Sequence, residues 1–459
     1  MIRPIPLAVA LVAASLTSIG QNPPPANVPP GSAGKPPAGA ATQPPPGAAA
    51  GRPLAIDLAG ALQRARDYNQ QFIQAGIAAG VAREDRVQAR AALFPTVTAL
   101  NQYIYTQGNG TPSGVFVAND GVHIYNEQAV VHVDLFNMSR RADYQRAIAA
   151  EAAARARQDI ARRGLVATVI QNYYALITSQ RHEVNASRSV EEAARFLDIT
   201  QKQERGGEVA RADVIKAQLQ FQQRQRELLD AQTNTQRARI ALGVIVFPDL
   251  GQQFNITDDL TADMPLPSID EIRNLAISSS PELRAAEASI RQAEAGISSA
   301  KGAYFPSLVI DYFYGIDANV FNVRGPDNRQ NLGSVVQGTV NVPVWNWGST
   351  RSKVRQAELL RRQAQSDLTF AQRTLQSNLA SFHLEAQAAR AQLESLRSSV
   401  DLSAESLRLT ILRYQAGEAT ALEVVDAQST LASARNAYDD GLARYRAALA
   451  NLQILTGRL

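Results

Sequence analysis

The side chains that usually carry chemistry are few in this chain and stand far apart. Its four histidines, His123, His132, His182 and His383, are scattered, and none has a His, Asp or Glu partner at the spacing of a metal site. No Gly-x-Ser-x-Gly elbow or phosphate loop occurs. The absence of cysteine removes disulfides, thiolate metal sites and a lipid-anchored N-terminus. What remains is Arg, Gln, Asp and Glu spread along helical stretches, the composition of a water-facing surface. Charged residues make up 19% of the chain and interleave to a net charge of +4, without the basic block that a nucleic-acid partner requires. The expectation is no catalysis, no cofactor and no metal, so function must reside in how the elements are built.

Those elements come twice. Phe94-Pro95 recurs as Phe305-Pro306, Asn137 as Asn346, Gly207-Glu208 as Gly417-Glu418 and Ala217-Gln218 as Ala427-Gln428, at offsets of 209 to 211 residues. Each copy runs in the same order: a helical stretch, a Phe-Pro stop, two alternating strand-like runs, a very long helix, a Gly-Glu turn and a returning helix. The reading is a first structural repeat at 54–248 and a second at 249–459, packed as one body. Ahead of them, residues 1–20 read as a signal peptide, with Arg3, an apolar stretch at 6–16 and the small-residue site Ser18-Ile19-Gly20. That stretch is about half the roughly 20 residues a membrane helix needs. Residues 21–53 hold 11 of the 22 prolines and read as a Pro-rich disordered tether.

After each Phe-Pro the apolar period changes from helical to two. Leu308, Ile310, Tyr312 and Tyr314 are expected on one face, with Val309, Asp311 and Phe313 on the other. The returning run sets Val336, Val340, Val342 and Val344 against Gln337, Thr339 and Asn341, and Val131, Val133 and Leu135 oppose His132 and Asp134. One apolar and one polar face suit a strand between lipid and water. Tyr103, Tyr105, Tyr312, Tyr314, Trp345 and Trp347 near the ends of these runs fit membrane interfaces. Beyond them, Leu375, Phe382, Ala389, Leu396 and Ser403 repeat every seven residues, with Ala386, Leu393, Val400, Leu407 and Tyr414 in complementary positions, a seam along which helices pack closely. The proline-free stretch 348–415, as one helix, is about 100 Å long. Two strands per copy give four per chain, an open sheet whose edges a bilayer does not tolerate. The chain must therefore oligomerise, with two copies giving 8 strands and three giving 12.

This duplicated order resembles the TolC family of outer-membrane efflux channels. The resemblance is carried by Leu93-Phe94-Pro95 with Tyr304-Phe305-Pro306, by the run Val342-Pro343-Val344-Trp345-Asn346-Trp347-Gly348, and by Arg413-Tyr414-Gln415-Ala416-Gly417-Glu418 leading into Val424-Val425-Asp426-Ala427-Gln428. It covers essentially all of 54–459. It implies a mainly α chain with a transmembrane β portion, assembled as a homotrimer with a 12-stranded β-barrel in the outer membrane and a long periplasmic α-helical barrel. It also implies partners: a periplasmic adaptor (membrane fusion) protein and an inner-membrane transporter, besides outer-membrane lipid.

By the same resemblance the adaptor-contact tips are Gly207-Glu208-Val209-Ala210 and Gly417-Glu418-Ala419-Thr420. The periplasmic aperture maps to the acidic positions Glu423 and Asp426 and to the latch positions Tyr414 and Asp213. Where relatives place an arginine two residues after the glycine, this chain has Ala419, which leaves Arg211 as a different partner for the latch. The reading is a passive exit channel for efflux or secretion. The alternative is a periplasmic coiled-coil adaptor, which would show one hairpin flanked by small β domains.

Overall fold

The computed structural model describes residues 54–105, 123–249, 252–261, 264–325 and 328–457; the signal-peptide and tether readings lie outside the described residues. The first half consists of β1 (Leu54–Ile56), α1 (Leu58–Tyr68), α2 (Gln70–Ala91), β2 (Thr96–Tyr105), β3 (His123–Phe136), α3 (Met138–Gly206) and α4 (Arg211–Val246). The second repeats this order as β4 (Phe254–Ile256), α5 (Ile269–Ser279), α6 (Pro281–Gly302), β5 (Ser307–Ala318), β6 (Leu332–Asn341), α7 (Ser349–Gln415) and α8 (Ala421–Thr456).

Local chemistry sets these boundaries. Ser280 caps α6 through the Leu283 amide, and Pro281 occupies its first turn, where a missing N–H costs nothing. Asn69 does the same between α1 and α2 by accepting from the Phe72 amide at 2.9 Å. That break carries no proline, and the sequence reading ran one helical stretch across it. Asn137 caps α3 through the Arg140 amide. At the start of α7 the turn is made by backbone shape, with Trp347 at φ 53° and Gly348 at φ 81°.

The four long strands form one antiparallel sheet in the order β2-β3-β5-β6. Its register sets Val97 beside Val131, Val131 beside Tyr312 and Tyr312 beside Val336, so one apolar face runs across all four strands. The opposite face carries Thr96, His132, Asp311 and Gln337 in line. Two details differ from simple alternation. A register shift between Asp134 and Phe136 makes Leu135 a bulge residue. Strand β6 stops at Asn341, so Val342 and Val344 belong to the turn ahead of α7 and not to the ladder; Pro343 has no N–H to extend pairing.

Helix α3 is the spine. It packs on α2 and α6 along the part nearer the sheet, and on α4 and α8 along the rest, with α7 completing the layer beside α6 and α8. The main core surrounds the middle of α3, where Leu165, Val169, Tyr173 and Ile177 meet Ile56, Phe254, Leu242 and Ile454. The short strands β1 and β4 pair in parallel there, tying the starts of the two repeats together. Three residues each, they left no periodicity to read. The Tyr173 hydroxyl donates to the Thr257 carbonyl at 2.7 Å, and burial pushes that phenol well above its ordinary range. Among the described residues no helix is long and apolar enough to cross a membrane.

Arg446, nearly fully buried, holds the linker between β4 and α5 by donating to the carbonyls of Leu260 and Asp259. Arg446→Met keeps the apolar stem and strands those carbonyls without donors. We expect it to lower unfolding stability by about 1–3 kcal/mol, measured by urea unfolding followed by far-UV circular dichroism; an unchanged midpoint would show that the linker is held by other contacts.

Candidate functional site

Two regions combine to make a wall. The first is the sheet, whose apolar face stays uncovered within one chain: Val97, Val336 and Val340 are exposed, as are Tyr312 and Tyr314. At one end Trp345 and Trp347 stand almost fully solvent-exposed, at 76% and 90%, and meet edge to face at 5.8 Å. At the other end Tyr103 packs on Tyr125, and its hydroxyl lies 2.7 Å from His123 Nδ1. Amphipathic aromatics thus bracket the apolar band at both ends, as they do where a barrel passes the two interfaces of a bilayer. The helical layer continues from the same strands. Its outermost helices, α2 and α4 on one side and α7 on the other, present uncovered Ile77, Leu229, Phe370 and Leu402. Sheet and helical layer are therefore both incomplete at both edges.

The second region is the pair of hairpin tips. Helix α3 ends in a left-handed Gly207 (φ 77°), with the Glu208 amide bonded back to the Gln203 carbonyl; α7 ends likewise at Gly417 (φ 79°), with Glu418 bonded to Arg413. Only glycine takes this backbone without strain. The returning helices start differently. Helix α8 opens with a full capping box, in which Thr420 Oγ1 accepts from the Glu423 amide and Glu423 Oε1 accepts from the Thr420 amide. Helix α4 starts at Ala210 with no side-chain cap. Its first residue, Arg211, instead pairs with Glu204 at the end of α3, at 3.1 Å.

The four residues that the resemblance maps to the aperture separate into two groups. Tyr414 is buried in the tip core, edge-to-face on Phe196 at 5.1 Å and packed with Ala217, Val424 and Leu431. Its hydroxyl sits by Thr200 and within electrostatic reach of Asp213, yet meets neither at hydrogen-bond geometry. Burial pushes this phenol up, and Asp213 adds to the shift while Thr200 opposes it. The structure thus brings Tyr414 and Asp213 together, with Lys216 holding Asp213 at 3.3 Å. Glu423 is held below the usual carboxylate range by the Thr420 amide first and the Thr420 hydroxyl next. Arg413 also reaches it, 3.5 Å away, and donates to the Glu418 carbonyl at 3.1 Å. Asp426 is exposed and has no side-chain partner among the described residues. The sequence reading missed Arg413; its place one residue before Tyr414 in the matched run was the available signal.

A sheet with a lipid-suited face, whose strands lead into a layer of long packed helices, is the build of a channel-forming membrane protein. Comparison with known proteins agrees. The model of the outer membrane efflux protein family matches residues 61–246 and 272–458, and the chain belongs to that family. The chain is 23% identical to outer membrane protein TolC of Vibrio cholerae over 87% of this chain and 90% of that protein. It is 24% identical to the cobalt-zinc-cadmium resistance protein CzcC of Cupriavidus metallidurans, over 64% and 67% of the respective chains. The crystal structure of the outer membrane protein VceC from Vibrio cholerae superposes with a TM-score of 0.77 at 17% identity, over 87% of this chain and 96% of that one. The protein is an outer-membrane exit channel, and the coiled-coil adaptor reading is set aside.

Two outcomes follow at the tip. Because the Glu423 carboxylate is held down, its contribution to the α8 N-terminus is present above the ordinary carboxylate range and lost as pH falls through the lowered value. Thr420→Ala is expected to weaken this turn by about 1 kcal/mol and to reduce that acid dependence only in part, because the amide of residue 420 still donates to Glu423, whereas Glu423→Gln should abolish it, read as hydrogen-exchange protection of amides 421–424 normalised to intrinsic rates. Tyr414→Phe should leave stability within about 1 kcal/mol, since its hydroxyl has no partner, whereas Tyr414→Ala should cost about 3–5 kcal/mol. A large loss in the Phe variant would place a hydrogen bond at that hydroxyl in the assembled protein.

Proposed function

We propose that three copies of this chain close edge to edge into a passive, water-filled duct from the periplasm to the exterior. The observation that supports this best is the coincidence of open edges. β2 and β6 bound the sheet, and the helices that lead into or out of them, α2 and α7, bound the helical layer. One neighbour joining at β6 therefore also covers α7, and the cost of an unpaired strand in lipid, several kcal/mol per backbone group, drives the closure. Three copies give a 12-stranded barrel, the number implied by the family.

In this reading the duct performs no chemistry. The tips at Gly207-Glu208-Val209-Ala210 and Gly417-Glu418-Ala419-Thr420 dock onto a periplasmic adaptor, and an inner-membrane transporter supplies energy and selects the substrate. A role in metal, drug or protein export depends on that transporter. Tyr414 and Asp213 belong to the closing apparatus of the tip. The ring that favours cations is formed chiefly by Asp426, because Glu423 is already engaged by Thr420 and Arg413 within its own hairpin.

Native mass spectrometry of the detergent-extracted protein should give three chains, and planar bilayers should show discrete conductance; a non-conducting, detergent-independent monomer would refute the duct. Asp426→Ala is expected to lower the cation preference of that conductance more than Glu423→Ala does, and equal, negligible effects would remove both from the aperture. Photo-crosslinkers at Glu208 and Glu418 should capture the adaptor.

A further inference from the structure

The polar face of the sheet is charged in one sense. Among its described strand residues it carries Asp134, Asp311 and Asp317 and neither lysine nor arginine. Two of these acids flank His132. Asp311 stands directly across from it on β5, with Oδ1 2.7 Å from Nδ1. Asp134, two residues along β3, sets Oδ2 3.4 Å from Nε2. The other charge at the cluster is Arg140 in the first turn of α3, with Nη1 2.6 Å from Asp134 Oδ2. Across β2 and beyond Asp311 on β6 the neighbours are Thr96 and Gln337, neither of which titrates. Asp134 Oδ2 is enclosed and meets no donor at hydrogen-bond geometry among the described residues, so the Arg140 contact is ionic only.

A neutral imidazole has one N–H and one lone pair, so it can donate to one of these carboxylates while turning its lone pair toward the other. Only the imidazolium turns an N–H and a positive charge toward both. A metal ion cannot substitute for the proton, because the two ring nitrogens point away from each other and the three side chains do not converge on one centre. Among the described residues no group of His, Asp and Glu has metal-holding geometry.

We propose that His132, Asp134 and Asp311 form a second charge-selecting station, at the end of the barrel where the strands pass into the helical layer, and that the proton on His132 sets its charge. The proposal rests on the duct reading, which turns this face to the lumen. With His132 neutral, the two carboxylates outnumber Arg140, and a ring of such clusters on the luminal face concentrates small cations along it. With His132 protonated the cluster is balanced, and the preference falls. Imidazoles as a class exchange a proton between about pH 5 and 8, which is the range over which the station is tested.

Reversal potentials across planar bilayers under a KCl gradient test this on the full-length assembled protein. The wild-type K⁺/Cl⁻ permeability ratio is expected to fall severalfold between about pH 8 and pH 5. His132→Gln should hold the ratio flat over that range, and Asp311→Asn should bring the ratio at the higher pH down toward the acidic wild-type value. Asp426→Ala should lower the ratio throughout yet keep its pH response. A conducting His132→Gln channel with the wild-type pH response overturns the proposal and leaves the duct intact. If His132→Gln does not assemble, as judged by heat-modifiable gel mobility, an unchanged ratio in Asp311→Asn overturns it instead. Absence of any conductance in the wild type overturns the duct reading and the station with it.

Discussion

Backbone amides and carbonyls cannot be left unpaired in hydrocarbon. Almost every feature of this chain follows from that constraint and from the fact that one chain cannot satisfy it. The ladder from β2 to β6 is paired inside apart from the bulge at Leu135, yet each of its two outer strands has one edge without a neighbour. The apolar face that runs from Val97 through Val131 and Tyr312 to Val336 commits the sheet to lipid, and that commitment makes the open edges untenable in a monomer. The same chain ends the sheet with aromatic side chains, which tolerate the boundary between acyl chains and water because one part of each is apolar and another polar.

The helical layer carries the sheet's geometry away from the membrane. α3 and α7, of 69 and 67 residues, leave β3 and β6 through single tight junctions at Asn137 and at Trp347-Gly348. Isolated helices of this length would bend freely, but each is laid against its neighbours along seams rich in alanine, so the backbones approach closely and the layer acts as a continuous wall. At the far end the two hairpins differ. Both turns close on a glycine with backbone hydrogen bonds, but the α7/α8 turn adds a capping box and Arg413, while the α3/α4 turn has no side-chain cap and adds the ion pair between Arg211 and Glu204. The two hairpins of the duplicated unit therefore differ in local chemistry, the second having more side-chain ties at its turn.

The duplicated order, the strand faces, the spans of α3 and α7 and the tip glycines were all legible in the residues. Each is a local pattern: a period of two or seven, a proline that cannot donate, a glycine that alone takes a left-handed turn. What was not legible shares a different character. The β1–β4 pair joins segments 200 residues apart through three residues each, too short for any period to show. The end of β6 at Asn341 follows from where pairing with Ser307 stops, whereas the valines beyond it continue the apolar alternation. Arg413 looked like any surface arginine until the turn folded it back over Glu418 and Glu423. His132, read only as one of four scattered histidines on a polar strand face, stands next to Asp311 because β5 of the other repeat pairs with β3.

The sequence by itself determined the kind of object this protein is, a twice-repeated unit of lipid-suited strands and long hairpins that cannot be complete as one copy. It could do so because helix and strand periods, stops and turns are written into neighbouring residues. The tertiary structure decided which charges meet, that Glu423 is tied within its hairpin while Asp426 is exposed, and how the two repeats are joined. Those outcomes depend on distances between residues far apart in the chain, and hydrogen bonds and ion pairs act over a few ångströms of space, however many residues separate the partners.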